Sequence, residues 1–290
     1  MKVAFGMIVC NGADFLEPCI RQIYDIANQI VIAEGATKNW MRALGWDTPE
    51  SKDDTLDILK KLQQEDKDHK IQIISGTWQD KIHQSNGYMN FVSDDTDYIW
   101  QLDCDEFYMR DDLKKTFRWL AEKSPTYVVV KYHHFWKNFS TVAVGQKLGW
   151  GWETPAPRIQ KFYKNCHYIE HRPPMIVDPY TGIKNIDVLP ANLTAETGTW
   201  CYHYSYVTDK QVLEKMTYYI AEFPEASRLK TWIEKVWKQW DVDKDFVEHT
   251  YGTHPSAWQG SYTEPFNGIH PEEIERLIHA DLLDNSQQQL

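Results

Sequence analysis

The sequence predicts an α/β protein: a mostly parallel, doubly wound sheet flanked by helices, followed by a helical C-terminal extension. Three observations carry this. Apolar runs of strand length at 3–9, 29–33, 71–74 and 98–102 alternate with stretches whose apolar residues recur every three or four positions. That β-α-β order builds a parallel sheet, because a crossover helix returns the chain to the same sheet edge. The run at 98–102 ends abruptly in Asp103, Asp105 and Glu106, at the edge where open α/β sheets bind ligands.

Residues 3–9 form the first expected strand, and Leu16, Cys19, Ile20, Ile23 and Ala27 then recur at helical spacing behind Asp14. The second strand, 29–33, delivers Glu34 to the same edge as Asp103. Residues 38–52, with Trp40, Trp46 and Pro49, read as an irregular inserted loop. A helix with Leu56, Leu59 and Leu62 inward leads to the strand at 71–74, and Lys81 opens the helix that crosses to 98–102. If strand alternation persists past Leu102, Asp103 and Asp105 point to one side and Cys104 to the other. Paired hard oxygens there suit Mg2+ or Mn2+ with phosphate oxygens.

Asp111 and Asp112 open a further helix, and 127–135 reads as a long strand on which His133 and His134 face opposite sides. The following region carries Trp152, Glu153, Glu170, His171 and Arg172. Loops rich in Trp and acids suit sugars, although aromatic core filling accounts for such tryptophans equally well. His203 lies in a strand-like aromatic run, 200–206, before a helix with Val212, Leu213, Met216 and Ile220 inward. A later stripe of Leu229, Trp232, Ile233, Val236, Trp237 and Trp240 fits either helix packing or a peripheral membrane contact.

Composition narrows the function. A formal net charge of -11 argues against a nucleic-acid partner. Five cysteines without a Cys-x-x-Cys pair fit reduced thiols and a cytoplasmic location. No apolar run of about 20 residues, the length a spanning helix needs, occurs.

Several of these segments together resemble the family 2 glycosyltransferases of GT-A, Rossmann-like fold, in particular a subgroup marked by Leu-Asp-Ala-Asp-Glu. Here that element, an Asp-x-Asp (DXD) motif, is Leu102-Asp103-Cys104-Asp105-Glu106. Ile32-Ala33-Glu34-Gly35-Ala36-Thr37 resembles the family's Asp-Gly-Ser-Thr element, and Pro157-Arg158-Ile159-Gln160-Lys161 its Pro-Arg-Leu-Phe-Arg. His203-Tyr204-Ser205-Tyr206, with Lys215 and Tyr218, resembles a late His-Tyr segment.

The resemblance implies a GT-A domain over 1–220, with a nucleotide-sugar half at 1–110 and an acceptor half at 111–220, and a helical extension at 221–290. It implies transfer of a hexose-like sugar from a UDP- or GDP-sugar to a glycan or other hydroxyl acceptor, with inversion. Asp103, Asp105 and His203 are the expected Mn2+ or Mg2+ ligands. Glu34, Lys81 and Asp103 are the expected donor contacts. Glu170, Glu153 and His171, in that order, are the candidate catalytic bases, because the subgroup's His-Glu pair is replaced by Glu170-His171-Arg172. Three other readings stand beside this one: a nucleotidyltransferase, a glycosyltransferase acting on modified DNA bases, and a non-catalytic carbohydrate-binding protein. The first should carry a Gly-rich basic loop that residues 6–15 lack.

Overall fold

The computed structural model describes residues 1–147, 150–256 and 259–287. The first half alternates strands and helices as its periodicity requires: β1 (Val3–Val9), α1 (Ala13–Tyr24), β2 (Gln29–Glu34), α2 (Lys38–Leu44), α3 (Thr55–Glu65), β3 (Ile71–Ser75), α4 (Lys81–Met89) and β4 (Tyr98–Gln101). A short β5 (Glu106–Phe107), α5 (Arg110–Lys123), β6 (Tyr127–Val130), β7 (Tyr132–Trp136) and β8 (Thr141–Val144) follow. A small β9–β10 hairpin (Gln146–Lys147 and Trp150–Gly151) precedes β11 (Ala156–Lys161) and the hairpin of β12 (His167–His171) and β13 (Pro174–Val177). The last elements are β14 (Ala191–Asn192), α6 (Leu193–Thr197), β15 (Cys201–Tyr206), α7 (Asp209–Glu222), α8 (Arg228–Trp232), α9 (Lys238–Trp240), α10 (Lys244–Thr250), β16 (Tyr262–Pro265) and α11 (Glu272–Gln287).

The main sheet has the order β14-β6-β11-β4-β1-β2-β3. It is mostly parallel, with β11 alone antiparallel to both of its neighbours. A second sheet, β16-β8-β7-β15-β5, stands beside it. The two are linked by the chain itself, because β5 begins only a few residues after β4 ends. The expected strands at 3–9, 29–33, 71–74 and 98–102 are all present within a residue.

The inserted segment differs from its expected irregular course. Thr37 accepts the Trp40 N–H and Gly45 closes the other end at φ 66°, so Lys38–Leu44 form a helix whose Trp40 is buried. A cap at each end and one apolar anchor outweigh the segment's lack of periodicity.

Past residue 220 the chain is helical for most of its described length and adds one strand, β16, to the second sheet. Ile274 of α11 is buried in the same core as β1 and β4. Leu229, Trp232, Ile233, Val236 and Trp237 are buried with Trp136 and Trp152 in a second core. Of the two uses open to that stripe, packing is the one the chain makes. Among the described residues no helix is long and apolar enough to cross a membrane.

Close approach explains one glycine. A Cβ on Gly6 would stand 2.2 Å from the Tyr88 ring, and that ring is pinned by a 2.7 Å bond from the Tyr88 hydroxyl to the Tyr168 hydroxyl. Gly6→Ala is therefore expected to cost about 1–3 kcal/mol, the usual penalty for overpacking a core. Urea denaturation checks it: an unchanged midpoint would show that the ring can move aside.

Candidate active site

Because β1 lies between β4 and β2, the segments leaving these three strands are neighbours. Asn11 and Gly12 follow β1, Glu34 ends β2, and Asp103 to Asp105 follow β4. Above this edge lies a cleft of about 180 Å³. Asp103, Asp105, Lys81, His171 and His203 all line it, joined by Arg172, Glu214 and Lys215.

The Asp-x-Asp element is not a continuation of its strand. β4 stops at Gln101 and residues 104–105 form a turn, so alternation fails. Cys104, expected on the opposite side, lines the cleft with both aspartates. What holds the turn is Glu106. Its fully buried carboxylate receives the Arg158 guanidinium of β11 through Nε at 2.9 and 2.8 Å and through Nη2. Glu106 also accepts the Asp103 N–H at 3.4 Å, and Arg158 Nη2 reaches Asp103 Oδ2 at 3.4 Å. Burial pushes the Glu106 carboxyl up to about 7, against the pull of Arg158.

Pairing of β15 with β5 brings the late histidine to the same place. His203 lies opposite Glu106, and Tyr204 N–H donates to the Asp105 carbonyl at 2.9 Å. His203 Nε2 thereby stands 3.7 Å from Asp105 Oδ1, while its Nδ1 lies 2.8 Å from His134 Nδ1. As expected, His133 takes the other side of β7, stacking on Trp200 at 4.4 Å.

The cations that line the cleft come from three elements. Lys81 begins α4 and sits 4.4 Å over the Tyr218 ring. Arg172 follows β12 and lies 4.5 Å over Tyr219. Lys215 projects from α7 and donates to the Ser205 hydroxyl. Among the described residues none of the three has an ion-pair partner within 4.0 Å. Burial holds Lys81 and Lys215 down at about 8.

Not every expected residue reaches the cleft. Glu170 is exposed and turned back on its own hairpin, accepting the His171 N–H at 2.8 Å and the Arg172 N–H at 3.4 Å. Glu153 is exposed beside the second sheet, where it accepts the Gly145 N–H at 3.1 Å. Of the three candidate bases His171 alone lines the cleft; burial, with Lys81 and Arg172 nearby, pushes its pKa down. Glu34 is sealed beneath the cleft floor, where it accepts the Ser51 N–H at 2.9 Å and thereby ties down the inserted segment.

Sequence reasoning passed over Arg172, Glu214 and Lys215 as site residues. A signal existed on α7. Gln211, Glu214, Lys215, Tyr218 and Tyr219 repeat at three- and four-residue spacing, and all line the cleft. Leu213, expected inward, is 40 % exposed, whereas Val212 and Met216 are buried as expected. Trp40, from the inserted segment, adds an aromatic wall that no periodicity announced.

A mostly parallel sheet with an Asp-x-Asp turn after its central strand, beside a cleft that cations also line, is an α/β arrangement of GT-A type. The chain belongs to glycosyl transferase family 2, whose model matches residues 5–175, more than half of its length. No curated protein matches it. Among solved structures it is similar to S. aureus TarS 1-349 in complex with UDP, at 13% identity and a TM-score of 0.38, covering 56% of this chain and 47% of that one. TarS 1-349 in complex with UDP-GlcNAc gives 13% identity and a TM-score of 0.35, covering 47% and 35%. A 4-diphosphocytidyl-2C-methyl-D-erythritol synthase from Anaerococcus prevotii gives 14%, 0.34, 55% and 71%. The chain thus spans about half of the TarS 1-349 structure or less.

Proposed function

We propose that the protein transfers a sugar from a nucleoside-diphosphate sugar to an acceptor hydroxyl, with inversion and with a divalent metal at the Asp-x-Asp turn. The carrying observation is what lines one cleft. Asp103 and Asp105 share it with Lys81, Arg172 and Lys215, cations without carboxylate partners among the described residues. Desolvated cations lose charge unless an anion joins them, and a diphosphate is the group that needs several at once.

The metal reading rests on the donor set. Asp105 and His203 converge, Asp103 faces the same space with its side chain 37 % exposed, and carboxylate oxygens with an imidazole suit Mn2+. Among the described residues no three such groups come close enough to complete a shell, so diphosphate oxygens and water would have to supply the other ligands. An ion held there would offset the charge developing on the leaving diphosphate. Lys81, Lys215 and Arg172 would orient the phosphates and share that charge.

For the acceptor's proton the cleft lining includes His171 and Glu214. His171 is opposed by its cationic neighbours, whereas burial raises the Glu214 carboxyl and makes it the better proton acceptor. Glu214→Gln is therefore expected to lower kcat more than His171→Gln, as steady-state rates would read. Five free cysteines, among them buried Cys19, Cys166 and Cys201, accord with a reducing, cytoplasmic compartment.

The direct test incubates a panel of UDP- and GDP-sugars with the protein and Mn2+, then with a chelator, following donor hydrolysis. Turnover of no nucleotide sugar would refute the proposal, and turnover unaffected by chelator would remove its metal.

The lysines add a pH signature. With pKa values held at about 8, Lys81 and Lys215 are cationic below that pH and neutral above it. The kcat/KM for the donor is expected to fall as pH rises through about 8. Lys81→Met should raise the donor KM about 10- to 100-fold, the loss of one charge-assisted bond. A profile flat from pH 6.5 to 9.5 would argue that neither lysine meets the diphosphate.

A further inference from the structure

Beneath the cleft, His134 of β7 and His203 of β15 meet Nδ1 to Nδ1 at 2.8 Å. The contact is built by the parallel pairing of the two strands, which sets His203 directly beside His134. Both rings are confined. His134 packs on Tyr132 at 5.1 Å and on Trp152 at 5.0 Å, and Tyr132 meets His203 edge-on at 5.6 Å.

A nitrogen pair at that distance holds one proton: one ring donates and the other accepts. The two arrangements differ in consequence. If His134 donates, the neutral His203 ring keeps its proton on Nε2, which then faces Asp105 as a donor. If His134 accepts, the His203 proton stays on Nδ1 and Nε2 presents a lone pair beside the Asp105 carboxylate, 3.7 Å away. Only the second form can ligate a metal.

We infer that His134 is a positioning residue for the metal site: as the hydrogen-bond acceptor for His203 Nδ1–H, it holds that ring in the tautomer and orientation whose Nε2 ligates the ion with Asp105. Ligand histidines are usually held in this way by a carboxylate or a carbonyl. Here a second, half-buried imidazole takes that role. It adds no negative charge beneath a site that already holds Asp103, Asp105 and Glu106. The inference rests on the metal reading of the Asp-x-Asp turn.

The test measures Mn2+ binding to the full chain, by electron paramagnetic resonance of the free ion, for the wild type, Asp105→Asn, His134→Phe and His134→Gln. Wild type should bind and Asp105→Asn should not. His134→Phe should bind about 10- to 100-fold more weakly, the usual cost of removing a ligand's outer partner. His134→Gln, whose side-chain carbonyl can accept the same proton, should recover part of the loss. Histidine 15N spectra of the wild type with Mg2+ give a readout that does not depend on variants folding, and should place the His203 proton on Nδ1.

Equal Mn2+ affinity in wild type and His134→Phe would overturn the role of His134 while leaving the metal site standing. So would a His203 proton on Nε2 in the metal-loaded protein. Absence of Mn2+ binding in the wild type would instead overturn the metal reading, and the inference with it.

Discussion

Asp105→Asn is expected to lower donor turnover on the order of 10²- to 10³-fold, the range for removing one strong electrostatic contact from a charge-developing transition state. The substitution keeps the shape of the side chain and removes its charge. Asp105 contributes through its carboxylate, since its backbone carbonyl already serves β15 by accepting the Tyr204 N–H. That backbone bond survives in the variant, so thermal unfolding should hardly change. Steady-state rates at saturating donor, beside a melting curve, separate the two effects. A variant that retains wild-type turnover would show that the aspartate carries no catalytic charge.

Arg158→Met should produce the largest loss of stability, about 3–5 kcal/mol, because it strands a buried carboxylate. Glu106 is fully buried, and its two oxygens take the Arg158 guanidinium and the Asp103 N–H. With the guanidinium gone the carboxyl must either stay charged without a partner or take up a proton. Its folded pKa, already about 7, then rises further above the unfolded value. A carboxyl whose folded pKa is raised destabilises above its unfolded pKa, so the cost grows as pH rises from the ordinary carboxylate range toward neutrality. Urea denaturation of the variant at pH 5 and pH 8 should show the larger deficit at pH 8. The double variant Glu106→Gln with Arg158→Met should recover part of it, because the stranded charge is gone. Catalysis should also suffer, since the same pair holds the turn that carries Asp103 and Asp105.

Much of the site is legible along the chain. Asp103 and Asp105 follow a strand's end and Lys81 begins a helix, and all three line the cleft. Chain position alone is informative there, because parallel βα units deliver every strand's C-terminal end to one edge. The two glutamates that miss the cleft, Glu153 and Glu170, lie in the second half of the chain. In that half, order along the chain no longer dictates order in space. There β11 inserts antiparallel between β6 and β4, and β7, β8 and β15 leave for a separate sheet. Glu170 also illustrates a local competition: its carboxylate bonds two amides of its own hairpin rather than reaching inward.

What the amino-acid sequence determined by itself is the framework: alternating hydrophobic periods that dictate a mostly parallel sheet, and an apolar strand that ends in acids at its ligand-binding edge. Periodicity and short-range order suffice for that, because each strand or helix carries its own pattern. Tertiary structure alone decided what shares the cleft with those acids. The cations come from α4, the turn after β12, and α7, and His203 with its partner His134 comes from a second sheet. Only packing brings such distant segments within hydrogen-bonding reach, because the interactions that place them depend on separations of a few ångströms that no local pattern encodes.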